Sequence, residues 1–137
     1  MIKRNLGIVL GVAIAGNIMG VVLAPMSLAA TSGPPTEAQL LKRAADQCEA
    51  GVICFWANRD FSGNHWSWSP RNGYRDMPPY LHDNVASFYA NAAGCFIDWE
   101  PRLYVRVAVG DYSKSYKAGG KFGSRIDAVT KLGDCHA

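Results

Sequence analysis

Asp98 and Glu100 stand two residues apart in a stretch that reads as a strand, so their carboxylates share one face. A carboxylate pair can supply the acid and base of glycoside hydrolysis, but such pairs face each other across a cleft. Two on one strand face read as solvated surface. His65, His82 and His136 are scattered, and each reads as a surface or hydrogen-bonding residue. Gly119-Gly120-Lys121-Phe122-Gly123-Ser124 lacks the spacing of a phosphate loop and reads as a mobile loop. The sequence has no Gly-x-Ser-x-Gly elbow and no His-Glu-x-x-His pair. No catalytic residue is expected, the chain is not expected to be an enzyme, and no cofactor is required.

The four cysteines are the other reactive groups: Cys48, Cys54, Cys95 and Cys135. A zinc site built from them with His136 fits poorly. No CxxC knuckle is present, and Cys135 and His136 are adjacent. An even count in an exported chain reads as two disulfides, with three pairings open. Cys48 with Cys54 would close a small loop with Gly51 at its bend, leaving Cys95 with Cys135. A loop of about 40 residues so closed is worth roughly 4 kcal/mol in the chain-entropy picture.

Export is read from the first residues. Lys3 and Arg4 precede an apolar run from Leu6 to about Leu23, and Ser27, Leu28 and Ala29 follow Pro25. That is the three-part pattern of a secretory signal, residues 1–29, with a single membrane anchor as its alternative. The rest carries 12 basic and 11 acidic side chains, a net charge of +1. A near-neutral domain without a run of like charge has no electrostatic basis for binding nucleic acid. The expectation is a secreted, extracellular monomer with no membrane contact once the signal is removed.

The elements that must position these groups begin with a leader at residues 30–35. Thr36, with Gln39 three residues on, forms a capping box, and Glu37 lies in the first turn. A three-turn helix is predicted over 36–46, with Leu40, Leu41, Ala44 and Ala45 as its apolar stripe, packed on the domain edge. Residues 30–47 are thus leader and helix, and 48–137 the domain proper. Strands are predicted at 52–57, 64–68, 86–90, 95–100, 103–109 and 126–131. Long turn-rich loops, 69–84 and 110–124, interrupt them. The order reads as an internal repeat: Cys54 to Cys95 is 41 residues and Trp56 to Trp99 is 43. Each half reads as a four-element antiparallel unit that contributes one element to its partner. The fold class is all-β, a double Greek-key sandwich with a short N-terminal helix and two disulfides.

Trp56-Ala57-Asn58-Arg59-Asp60-Phe61-Ser62-Gly63 resembles the βγ-crystallin signature: an aromatic, four residues, an aromatic, any residue, glycine. Trp56 would pack over a folded-back hairpin, Phe61 would form its corner, and Gly63 would take a backbone angle other residues resist. In the second half Trp99 and Tyr104 keep the aromatic spacing, but Arg106 stands where the glycine belongs, which implies a less sharply folded hairpin. Asp83-Asn84-Val85-Ala86-Ser87 is similar to the family's later serine motif, and Gly123-Ser124-Arg125-Ile126-Asp127-Ala128 is a degenerate second copy. Among exported single-domain members the chain most resembles the Streptomyces metalloproteinase inhibitor family, peptidase inhibitor family thirty-six.

In calcium-binding crystallin-like proteins each site mixes the two halves. The resemblance implies at most one weak calcium site here, using Asp83, the Val85 carbonyl and Asp127; a second would use Ser87 but meets Gly123. The alternative is that Asp83 and Ser87 tie down a loop through side-chain to backbone hydrogen bonds. The resemblance further implies an inhibitor that occludes the cleft of an extracellular metalloprotease, with loops 69–84 and 110–124 as contact surfaces. Two other roles fit the same residues. One is a calcium-responsive structural or cell-envelope protein. The other is a carbohydrate-binding or toxin-like module, using the surplus among Trp56, Trp66, Trp68, Tyr74, Tyr80, Phe88 and Tyr89.

Overall fold

A computed structural model describes residues 33–136. The export segment expected at residues 1–29 lies outside the described residues. Among the described residues no helix is long and apolar enough to cross a membrane. Pro35–Ala137 forms one compact unit.

Helix α1 spans Glu37–Gln47 and begins on the predicted capping box. The Gln39 amide donates to the Thr36 hydroxyl, and the Thr36 amide donates to the Gln39 side chain. Among the described residues eight strands follow: β1 (Ile53–Asn58), β2 (Ser62–Trp68), β3 (Arg75–Asp76), β4 (Ser87–Ala90), β5 (Gly94–Trp99), β6 (Arg102–Val107), β7 (Tyr112–Ser113) and β8 (Ala128–Thr130). They form two antiparallel four-stranded sheets, ordered β2-β1-β4-β7 and β3-β8-β5-β6. The exchanged elements are β3 and β7. Arg75 pairs with Val129 across to the second half, and Tyr112 pairs with Tyr89 across to the first. Both lie inside the stretches expected to be plain loops. Two-residue strands reading Arg-Asp and Tyr-Ser show no period, so only their partners reveal them.

The main core lies between the sheets. Phe96 packs on Phe55 at 5.2 Å and edge-on to Phe88 at 5.1 Å, and Tyr116 closes on Phe88 at 4.7 Å. Burying a ring such as Phe55 or Phe96 contributes about 2 kcal/mol in transfer terms alone. A smaller cluster joins Leu40 and Ala44 of α1 to Cys48, Cys54, Trp56 and Phe61. Ala45, expected in that stripe, is exposed.

This second cluster sits on the folded-back corner between β1 and β2. Asp60 and Phe61 both adopt positive φ, and the strand register shifts between Trp56 and Asn58. Gly63 has φ of +83°, and a Cβ there would fall 2.5 Å from the Asn58 side-chain Nδ2. Buried Ser87 holds the corner shut. Its hydroxyl donates to the Asn58 carbonyl at 2.7 Å and accepts from the Phe61 amide at 3.0 Å. Helix α1 braces it from outside: Arg43 donates to the Asp60 carbonyl and Trp56 Nε1 donates to Gln47.

The equivalence of Trp56 with Trp99 is corrected by the backbone pairing. Trp56 lies opposite Ser87 and Ile97 opposite Ala128. The Ala86 amide donates to the Trp56 carbonyl just as the Asp127 amide donates to that of Ile97. One constant offset therefore takes Cys54 to Cys95, Trp56 to Ile97 and Ser87 to Ala128. Trp56 is fully buried, whereas Trp99, at the end of β5, is 38% exposed. Tyr104 faces Ile97 across the hairpin, not a corner, and β5 turns directly into β6 through Glu100-Pro101 with no shift in register. With Ala128 in the serine position, no hydroxyl holds a corner in the second half.

Cys48 bonds to Cys54 and Cys95 to Cys135. The second bridge fastens the chain end to β5, and Arg106 donates to the Cys135 carbonyl beside it.

Ser87→Ala leaves the buried Phe61 amide and the Asn58 carbonyl without that partner, and it should cost about 1–3 kcal/mol in urea unfolding followed by tryptophan fluorescence. Glu37 ties α1 to the sheet through Lys114 at 2.8 Å and Tyr112 at 2.7 Å. Hydrogen bonds from Lys114 and then Tyr112 hold its carboxyl below the usual 4.5. A carboxyl depressed in the folded state adds stability above its unfolded value and loses it as pH falls through the folded value. The melting-temperature gap between the parent and Glu37→Gln should therefore be present near neutral pH and shrink as pH falls below the usual 4.5.

Candidate functional site

The exchange of β3 and β7 brings the ends of the two long loops together. The Val85 amide donates to the Gly123 carbonyl at 2.9 Å, and the Asp83 amide donates to that of Ile126 at 2.9 Å. Lys117 Nζ reaches the Asn84 side chain. Asp83 has φ of +56°, a conformation that Asp tolerates better than most residues. Gly123 is required by a close approach: a Cβ there would lie 2.1 Å from the Val85 carbonyl oxygen.

Beside this junction, where β5 ends, lies a cleft of about 450 Å³. His82 and Asp83 come from the first long loop, Asp98, Trp99 and Glu100 from the end of β5, and Ser124, Arg125 and Asp127 from the approach to β8. Asp127 is oriented by the Trp99 amide, which donates to Oδ2 at 2.7 Å. His82 bridges two carboxylates, with Nε2 3.0 Å from Asp127 Oδ1 and Nδ1 3.3 Å from Asp83 Oδ2. Asp98 is 3% exposed. Its Oδ1 accepts from the Glu100 amide at 3.0 Å, whereas its buried Oδ2 has no hydrogen-bond partner. Arg125 Nε stands 3.8 Å from that oxygen, beyond hydrogen-bond reach.

Next to the cleft is an aromatic ledge. Trp99 Nε1 donates to the Tyr74 hydroxyl, Tyr104 packs edge-on to Trp99, and Arg102 lies 5.4 Å over the indole. Burial, and then a hydrogen bond to Asp76, hold the Tyr74 phenol above its usual value, so it is neutral at physiological pH.

Several expectations change here. Asp98 and Glu100 do not share a solvated face: Asp98 is buried and Glu100 exposed, because β5 is covered on both sides up to Asp98. His82 is part of a cluster, not an isolated surface residue. Of the aromatics expected to carry a surplus, Trp56, Trp68 and Phe88 are core, while Tyr74 and Tyr80 are exposed.

The oxygen set implied for calcium is only partly assembled. Asp83 and Asp127 come together, but Val85 is fully buried, its carbonyl oxygen lies against Gly123, and it does not line the cleft. Ser87 is committed to the corner. An imidazole stands between the two carboxylates, where a calcium cage would place oxygens alone. These residues do not fit calcium.

The strand exchange defines a double Greek-key domain of βγ-crystallin type. Residues 42–99, from within α1 to the end of β5, match the model of peptidase inhibitor family I36. An uncharacterized gerABC family protein of Dictyostelium discoideum is 41% identical over 83 residues, 61% of this chain and 73% of that protein. Spore germination protein 1 of the same organism is 29% identical over 85 residues, 62% of this chain, and the match covers 66% of its own length. Among solved structures, one described under the evolution of the eye-lens βγ-crystallin domain fold shares 14% identity at a TM-score of 0.45, covering 74% of this chain and 91% of that one. A βγ-crystallin from Ciona intestinalis shares 13% at 0.45, covering 59% and 99%. The chain belongs to the gerABC family, and its residues 42–99 are similar to peptidase inhibitor family I36.

Proposed function

We propose that the chain is exported through residues 1–29 and acts outside the cell, without catalysis, as an inhibitor that occludes the cleft of a metalloprotease. The family match supports protease inhibition, and two disulfides suit an oxidising compartment. The observation that carries the reading is the shape of the second long loop. Residues 117–121 are all exposed. Their base is closed by the Gly123 amide donating to the Tyr116 carbonyl at 3.0 Å, and Lys121 Nζ donates to the Ser115 carbonyl. Gly119 and Gly120 at the tip take φ of +68° and +76°. The bond between Lys117 and Asn84 ties this tip to the first loop. A projecting segment already ordered in the free protein loses little conformational freedom on docking, so contact energy appears as affinity. The Cys95–Cys135 bridge lies at the chain end and does not frame this loop.

Purified protein titrated against a thermolysin-type metalloprotease and a trypsin-type serine protease should inhibit the first with sub-micromolar affinity. Replacing Lys117 and Lys121 together by Ala should weaken inhibition by about tenfold or more without changing the melting temperature. No inhibition at micromolar excess would contradict the reading, as would an unaffected double variant.

A further inference from the structure

We propose that His82, Asp83 and Asp127 form a binding site for a divalent transition-metal ion of the zinc type, independent of the inhibitory loop. The ligand atoms these residues offer all lie within 4.8 Å of one another. The 3.0 Å between His82 Nε2 and Asp127 Oδ1 is the separation of two neighbouring ligands on one ion with bonds of about 2 Å. Mixed imidazole and carboxylate donors suit zinc and its neighbours, while calcium and magnesium prefer oxygen alone. This is the same mismatch that rules out the calcium cage.

A second observation points to a ligand in this cleft. Asp98 Oδ2 is buried and unpartnered in the cleft wall. A buried carboxylate oxygen without a donor costs more than the average hydrogen bond contributes. This oxygen has almost no accessible surface and Arg125 Nε stands 3.8 Å away, so a water on an ion at His82 would become its donor once Arg125 turns aside, the outer-sphere role carboxylates play around zinc. The remaining groups prepare the site. The Trp99 amide fixes Asp127, and the Glu100 amide fixes Asp98. Four carboxylates (Asp83, Asp98, Glu100 and Asp127) line the cleft against the single permanent cation Arg125, so a dication reduces a local excess of negative charge. The cleft is wide enough to leave water on the open side of the ion.

The test is isothermal titration of the full chain with zinc chloride and, separately, with calcium chloride, with melting curves alongside. One zinc equivalent should bind with micromolar or tighter affinity and raise the melting temperature, while calcium at the same concentration should do neither. Cobalt bound in place of zinc should show visible absorption bands that zinc displaces. His82→Gln should weaken zinc binding at least tenfold, as should Asp127→Asn. His65→Gln and His136→Gln should leave it unchanged, and protease inhibition should not depend on zinc. Equal zinc binding by His82→Gln would overturn the proposal, as would loss of binding in the His65 or His136 variant, or calcium binding as tightly as zinc.

Discussion

Neither half of this domain can complete its own sheet. The first half sends β3 to pair with β8, and the second sends β7 to pair with β4. Each sheet is thus three strands of one key and one of the other, and the apolar faces of both must close on a common core. Phe55, Phe88 and Phe96 meet there because their strands do. The long loops that carry β3 and β7 must then return across the same end of the sandwich. That return sets Val85 against Gly123 and Asp83 against Ile126. The cleft and the loop face both follow from the exchange.

The two keys share a plan but differ in their stiffening. The first folds β1 back on itself at Trp56, Asp60 and Phe61, with Ser87 bonded inside and helix α1 braced outside. The second has Ile97, Arg102 and Ala128 in the matching places and runs as a plain hairpin. It is held instead by the Cys95–Cys135 bridge and by Arg106 on the chain end. Freed from a corner, the end of β5 becomes surface: Trp99 and Glu100 rim the cleft, while Asp98 is buried in its wall. The half without a folded corner is the half whose strand end lines the cleft.

What was legible in the residues was local. The capping box at Thr36, the aromatic-glycine corner and the idea of two keys trading an element could all be read from short-range spacing. What could not be read was long-range or short in extent. Strands of two residues show no alternation. Trp99 mimics Trp56 in type and spacing, which sets the halves two residues out of step, and the pairing of Ile97 with Ala128 restores the offset that the cysteines carry. Asp98 shares a strand face with Glu100 by spacing, which reads as solvated, yet it is buried in the cleft wall. His82 and Asp127 are far apart in sequence; the two serine-motif copies join Asp83 to Asp127, but no motif includes His82. The site is a product of topology: the motifs pair Asp83 with Asp127, and the fold adds His82 and buried Asp98 to them.

The strand exchange is tested most directly by nuclear Overhauser contacts between backbone protons in solution. The account predicts contacts joining Arg75 to Val129 and Tyr89 to Tyr112 within one isotopically labelled molecule. Contacts that keep β3 and β7 within their own halves, or that arise only between different molecules in a mixed-label sample, would contradict it.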